Sequence, residues 1–355
     1  MSILNSIESL LIDIRKVASR DGLASGFIIG STTKKVDNNK YYITPLRNTG
    51  SMIVGGVIVY NERQAMDIAI KIDGKVDYIL VDAEKKIPPS KSDYGEIPNI
   101  ERRVREQISR SNLWVYKGND VTVEAVDALL GHLYKDNLQG IGSKKVAILG
   151  AGNLGSKLAL KLLERGANVF VTRRNTKKLE KISDAINLIK SQYTIAKVKW
   201  TTDNLYAATN ADIVIGATNG VPVITEKIIV SMAPKGVIVD VGKGTITPAA
   251  IKKAEKLKKN IYRVDVTAAL CGLIKTLSMT DESLLKIMGR RKIGDLTIIA
   301  GGIFGHAGEV VVDNVSSPRY VYGIADGKGD FDRTISEDQL RKILQRLSTG
   351  ENQFG

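Results

Sequence analysis

Gly150, Gly152 and Gly155 stand in the spacing G-x-G-x-x-G. The apolar run Val146 to Leu149 ahead of them predicts a strand. The amphipathic run NLGSKLALKLLERG that takes in the third of them predicts a helix stopped at Gly166. In that setting the first glycine permits a tight turn, the second lets the backbone approach a pyrophosphate, and the third lets helix and strand pack closely. Asn153 and Leu154 begin the helix, where unpaired N–H groups would meet phosphates. The same spacing also fits a βα turn that binds nothing, since 33 glycines produce some matches by chance.

The end of the next strand bears on which dinucleotide would fit. A site for NAD or FAD places Asp or Glu about 20 residues on, against the ribose 2′-hydroxyl. Here Asn168 to Val171 runs into Thr172, Arg173, Arg174, Asn175 and Thr176, with no carboxylate before Glu180. Two guanidiniums and a hydroxyl from Thr172 or Thr176 suit a 2′-phosphate, so NADP is the expected cofactor. The alternative is that one of the two arginines merely faces solvent. Two later strand ends, Ala217-Thr218-Asn219-Gly220 and Asp240-Val241-Gly242-Lys243-Gly244, are candidates to hold the nicotinamide ribose and ring with backbone groups. Each could equally be an ordinary βα turn.

These residues need a frame. From Lys144, apolar strands alternate with helices, which is what a parallel sheet covered on both faces produces. Earlier, GFIIGS (26–31), SMIVGGVIVY (51–60), VDYILVDA (76–83) and LWVY (113–116) read as strands. Residues 3–17, 61–72, 98–110 and 121–134 read as helices, and a turn is expected around Pro88, Pro89 and Ser90. The expected fold class is α/β: a Rossmann doubly wound parallel sheet preceded by a smaller α/β substrate domain. The expected boundaries are 1–118 for that domain, 119–141 for a connecting helix and linker, and 142–300 for the Rossmann domain. Residues 301–355 would be a C-terminal loop and helix packing back on the N-terminal domain. Its last helix, 335–348, is opened by Ser336 with Gln339 at capping-box spacing.

Composition narrows the function classes. Lys and Arg number 52 against 38 Asp and Glu, a net charge of +14, and residues 142–270 alone hold 22 of the bases and 9 of the acids. The excess is thus a basic nucleotide-binding segment beside a nearly neutral remainder. A nucleic-acid binder would interleave basic and aromatic residues, but aromatics are only 5% and no such run exists. The single Cys271 and the isolated His132 and His306 provide no metal site. No apolar run reaches about 18 residues, and Glu8 and Asp13 interrupt the N-terminal stretch, so neither a membrane span nor a signal peptide is expected. A cytoplasmic location and a homo-oligomer, as a homodimer, are the expectation.

The block KKVAILGAGNLG…ANVFVTRRNT…ADIVIGATNGV…GVIVDVG resembles the cofactor domain of the shikimate dehydrogenase group over about 142–245. It is similar too to the methylene-tetrahydrofolate and methylene-tetrahydromethanopterin dehydrogenases. These proteins join an amino-acid-dehydrogenase-like N-terminal domain to a Rossmann domain. The resemblance implies that Thr172, Arg173, Arg174 and Thr176 are a variant of the group's NADP clamp. It also implies a Lys–Asp pair, with Lys85 in the matching place and Asp120 near the start of the connecting helix. Such a pair can relay a proton while hydride moves to or from nicotinamide. The alternative is that Glu84-Lys85-Lys86 is a solvated charge run and Asp120 a helix N-cap. His306, Cys271, Lys243, Asp265 and Tyr60 are further candidates without a stronger warrant. The expected activity is an NADP-dependent dehydrogenase or reductase, acting on an alcohol, an amine or a reduced pterin in an interdomain cleft. A non-catalytic NADP sensor is the alternative.

Overall fold

The computed structural model describes residues 3–33, 41–89 and 94–350, with side chains to 348. The chain divides into two units, Met1–Gly272 and Leu273–Gly355. Ser90 lies outside the described residues.

The first unit holds two sheets. The N-terminal one has the order β2-β3-β1-β4-β5, built from β1 (Ala24–Ser31), β2 (Tyr42–Asn48), β3 (Met52–Val59), β4 (Tyr78–Asp82) and β5 (Asn112–Tyr116). All pairs are parallel except β2 on β3. Alternation along the strands decides the layers. Phe27, Ile29, Val57 and Val59 pack with Ile7, Leu10, Leu11 and Ile14 of α1 (Ile3–Asp21) and with Ala65, Ile68, Ala69 and Ile72 of α2 (Glu62–Ile72). The short α3 (Ile100–Arg105) covers less than the expected 98–110. The edge strand β2 is absent from the sequence expectation, because YITPLRN carries a proline and no apolar alternation.

Helix α4 (Gly118–Leu133) leads to the second sheet. Its six parallel strands are β6 (Lys145–Leu149), β7 (Asn168–Thr172), β8 (Lys199–Thr201), β9 (Ile213–Gly216), β10 (Val237–Asp240) and β11 (Ile261–Arg263), in the order β11-β10-β9-β6-β7-β8. This is the doubly wound order, with the direction of winding reversing between β6 and β9. Val146 and Ile148 enter one core layer with Leu158, Leu162 and Leu163 of α5 (Asn153–Glu164) and Leu179 of α6 (Thr176–Ile189). Ala147 and Leu149 enter the opposite layer. Ala208 of α7 (Asn204–Ala208), Ile228 and Ile229 of α8 (Glu226–Ser231) and Ala250 of α9 (Pro248–Lys256) meet them there. Both faces are therefore apolar, which explains the unbroken hydrophobic runs.

The second unit differs from expectation. Helix α10 (Thr267–Glu282) runs into it, and a four-stranded sheet follows: β12 (Gly289–Ile293), β13 (Leu296–Ala300), β14 (Val310–Val312) and β15 (Val321–Ile324). The boundary expected at 300 is corrected: β13 belongs to this sheet and not to the doubly wound one, and β15 lies within the stretch expected as a C-terminal loop. The reason is packing. Ile298, Val310, Val312 and Val321 form a core with Leu340, Ile343, Leu344 and Leu347 of α11 (Glu337–Gly350). The capping box is present, with Ser336 N–H donating to Gln339 Oε1 at 2.8 Å.

Candidate cofactor and active site

The glycine turn joins β6 to α5 at the reversal point of the second sheet. Gly150 has φ 122°, and a Cβ there would lie 2.7 Å from the carbonyl of Ala217, so the β6 and β9 loops touch backbone to backbone. A Cβ on Gly155 would collide with the Gly150 carbonyl oxygen. At Gly152 none of the described residues comes within 4 Å of that position, and α5 has no side-chain cap. Open space and uncapped first-turn amides therefore coincide, as a bound pyrophosphate requires.

Beside this turn ends β7. The Thr172 hydroxyl is buried and bonded to Asn204 Oδ1 at 2.6 Å. Its carbonyl accepts from Gly150 N–H and Ala151 N–H. Arg173 is half-buried and donates from Nη1 to the Ala151 carbonyl at 2.6 Å, which ties it to the glycine turn. Arg174 and Thr176 are exposed. Asn175 caps α6 by accepting from Lys178 N–H. On the other side, Val241 and Gly242 donate to the Gly216 carbonyl at 3.0 Å, and the Thr218 hydroxyl bonds the Val221 carbonyl at 2.6 Å. Burial alone would raise the Asp240 carboxyl, but N–H groups of Gly244 and Thr245, the Thr245 hydroxyl and Arg263 hold it below its ordinary value. Asp240 thereby secures a loop in which Lys243 has φ 54°, a conformation rare for a side-chain-bearing residue.

The Lys85–Asp120 pair is not formed. Lys85 Nζ turns to Asn99 Oδ1 at 2.6 Å, with Glu101 at 3.9 Å. Asp120 is the third residue of α4, makes no N-cap bond, and pairs with Lys157 of α5. The lysine that enters a carboxylate cluster is its neighbour. Lys86 Nζ is 2.7 Å from Asp82 Oδ2 and 2.8 Å from Glu84 Oε2, with 11% of its side chain exposed. Asp82, at 1% exposure, also accepts from Ser31 Oγ at 3.0 Å and from Gly118 N–H at 3.3 Å. Burial first, then the Asp82 and Glu84 charges, hold the Tyr116 phenol well above its ordinary value. The cluster continues into the second sheet's layer. Glu84 accepts from Asn119 N–H at 2.9 Å and approaches Lys157 at 3.5 Å, while Asn119 Nδ2 donates to Asn153 Oδ1 at 3.0 Å. A signal for Lys86 existed in the every-other spacing of Asp82, Glu84 and Lys86. It was indistinguishable from a solvated charge run until β4 was buried around it.

Of the remaining candidates, His306 is 80% exposed and its backbone N–H donates to Glu309 at 2.8 Å. Cys271 is half-buried within α10. Tyr60 follows β3, and burial raises its phenol. Among the described residues no group of three or more His, Cys, Asp or Glu could hold a metal, and no helix is long and apolar enough to cross a membrane.

No curated protein shows significant similarity to the chain. The chain has partial likeness to solved structures. With a component of dipicolinate synthase from Bacillus halodurans it shares 14% identity over 72% of this chain and 97% of that one, at a TM-score of 0.36. With L-tryptophan dehydrogenase from Nostoc punctiforme the figures are 15%, 73%, 75% and 0.40. With the NADPH-dependent glyoxylate/hydroxypyruvate reductase of Sinorhizobium meliloti they are 15%, 46%, 81% and 0.30. At these scores the likenesses carry no argument about a substrate. Residues 145–244, under a third of the chain, match the family described as NADP oxidoreductase coenzyme F420-dependent. That segment spans the glycine turn, the end of β7 and the loops after β9 and β10, and it is a nicotinamide-nucleotide-binding domain of the oxidoreductase type.

Proposed function

We propose that the protein is an NADP-dependent dehydrogenase or reductase. The observation that carries this reading is the pair Arg173 and Arg174 at the end of β7, beside a glycine turn with room over Gly152. Arg174 and Thr176 are exposed for a 2′-phosphate, with Arg173 held next to them by the Ala151 carbonyl. Thr172 has no part in that clamp, because its hydroxyl is engaged by Asn204. Asn153, Leu154 and Gly155 would receive the pyrophosphate, and Ala217 to Gly220 with Val241 and Gly242 would border the nicotinamide ribose. Bound there, NADP supplies the hydride acceptor or donor. Proton transfer at the reacting oxygen or nitrogen falls to Lys86 rather than to Lys85 with Asp120. Asp82 and Glu84 orient its ammonium, and Lys157 offsets the charge of Glu84 and Asp120. The substrate is a small polar alcohol, ketone or carbon–nitrogen compound. The test is direct: Arg173→Ala with Arg174→Ala should weaken NADPH by about a hundredfold, from two lost charge-assisted contacts, and leave NADH much less affected. Equal loss for both nucleotides would remove the assignment.

A further inference from the structure

The edge strand β2 carries two groups that the nucleotide site does not use. In its pairing with β3, Tyr42 faces Ile58, Thr44 faces Gly56 and Arg47 faces Val54, with a bulge between Thr44 and Arg47 at Pro45 and Leu46. Ile58, Gly56 and Val54 are alternate residues, so Tyr42, Thr44 and Arg47 share one face of the sheet. Without the extra residue in the bulge, Leu46 would take the place of Arg47 on that face. The opposite face is the one α1 covers, since a Cβ on Gly55 would meet Leu10 and Ile14.

On the shared face β2 lies against the carboxyl-end loops of the second sheet. Lys243 Nζ, after β10, sits 4.6 Å from the Tyr42 ring centre, and Asp265, after β11, approaches Arg47. Arg47 is only 17% exposed, yet its one hydrogen bond among the described residues is from Nη1 to the Pro45 carbonyl at 3.2 Å. Asp265 Oδ1 stands 3.7 Å from Nε, an ion pair too long for a good hydrogen bond. A guanidinium has five donors, and here they meet one neutral acceptor and one distant carboxylate, so most of them are open to a further acceptor. Thr44 Oγ1, on the same face, is buried with no partner among the described residues. A buried hydroxyl without a partner and a half-buried guanidinium with spare donors, on one face of an edge strand, offer donors to a common acceptor.

We infer that Arg47 and Thr44 form a binding site for the carboxylate group of a small-molecule ligand. The planar guanidinium fork matches a carboxylate, and the Thr44 hydroxyl adds a donor. Asp265 can release Arg47 at little loss, because its own oxygen is held by Thr267 N–H at 2.9 Å and Thr267 Oγ1 at 2.6 Å. Those bonds, the Thr267 hydroxyl first, lower its pKa more than Arg47 does, so Asp265 stays charged and at 74% exposure repels a phosphate dianion more than a monoanionic carboxylate.

The test is a thermal-shift series on the full chain with acetate, lactate, malate and oxalate, and with inorganic phosphate as the second arm. At saturation near a hundred times Kd, at least one carboxylate should raise Tm by about 5 °C. The shift should vanish in Arg47→Met and shrink in Thr44→Val, and phosphate should give none. Arg47→Lys keeps the charge and loses the fork, so it should keep the Tm of the free protein and lose most of the shift. It decides the matter if Arg47→Met does not fold. No shift from any carboxylate, an undiminished shift in the Arg47 variants, or a shift from phosphate alone would overturn the site. NADPH affinity, read by fluorescence in the same samples, should be equal in wild type and variants. Loss of NADPH binding in the wild type would strike the proposed function and leave this site standing.

Discussion

Lys86 Nζ stands 2.7 Å from Asp82 Oδ2, on a carboxylate that is almost sealed from solvent at the carboxyl end of β4. The pair fixes an ammonium at the rim of the N-terminal sheet, and Glu84, Asn119 and Asn153 link that rim to the glycine turn. A buried carboxylate of this kind tolerates the loss of its partner poorly.

Replacing Lys86 by Met should therefore lower stability by about 3–5 kcal/mol in urea unfolding, the cost of breaking a buried pair. Lys86→Arg restores a cation that cannot give up its proton, so it should recover most of that stability. Turnover in Lys86→Arg should nevertheless stay down by about 10²-fold or more. Turnover that returns with stability would make Lys86 structural.

The glycines of the turn should separate by kind. Gly155→Ala drives a methyl into the Gly150 carbonyl and should cost about 1–3 kcal/mol of stability together with nucleotide binding. Gly152→Ala meets no atom of the described residues, so unfolding should change by less than about 1 kcal/mol while NADPH affinity falls at least about tenfold. Unaltered affinity in Gly152→Ala would mean that no phosphate approaches there.

The two arginines should differ from one another. Arg174 has an exposed side chain, so Arg174→Ala should affect NADPH alone, by about tenfold. Arg173 also braces the Ala151 carbonyl, so Arg173→Ala should weaken NADH measurably as well. Titration of each variant with both nucleotides reads the difference.

Acid should weaken the N-terminal sheet through Asp73. Burial by itself would raise this carboxyl. The N–H groups of Ser111, Arg110 and Ser109, with the Arg110 side chain, outweigh it and place the pKa far below the ordinary carboxylate value. A depressed folded pKa contributes stability that is complete above the unfolded value of about 3.9 and is lost as pH falls through the folded one. Unfolding midpoints should thus be independent of this group above about pH 5 and drop below about pH 4. In Asp73→Asn the midpoint should be lower at neutral pH and the acid drop shallower.

Much of the fold was legible locally. Val146 to Leu149, Ile213 to Ile215 and Val237 to Val239 are continuous apolar runs because both faces of their sheet are covered, and such runs announce themselves without tertiary information. The glycine turn and the place of the two arginines at the end of β7 were legible because both are set by near neighbours in the chain. Strand β2 and the strands β14 and β15 were not. Pro45 and the bulge hide β2's alternation, and Val310 to Val312 and Val321 to Ile324 are too short to be distinguished from loops until α11 packs on them.

The sequence alone determined a doubly wound domain whose glycine turn and second strand end are basic and free of carboxylate. Only the tertiary structure set Lys86 between two carboxylates and Lys85 on Asn99, paired Asp120 with Lys157, withdrew Thr172 into a bond with Asn204, and set Arg47 against the strand ends of the second sheet. The physical reason is reach. Backbone conformation and apolar periodicity are written over a few residues. The partner of a buried charge comes from whichever strand end folding brings within about 3 Å, and no spacing along the chain records it.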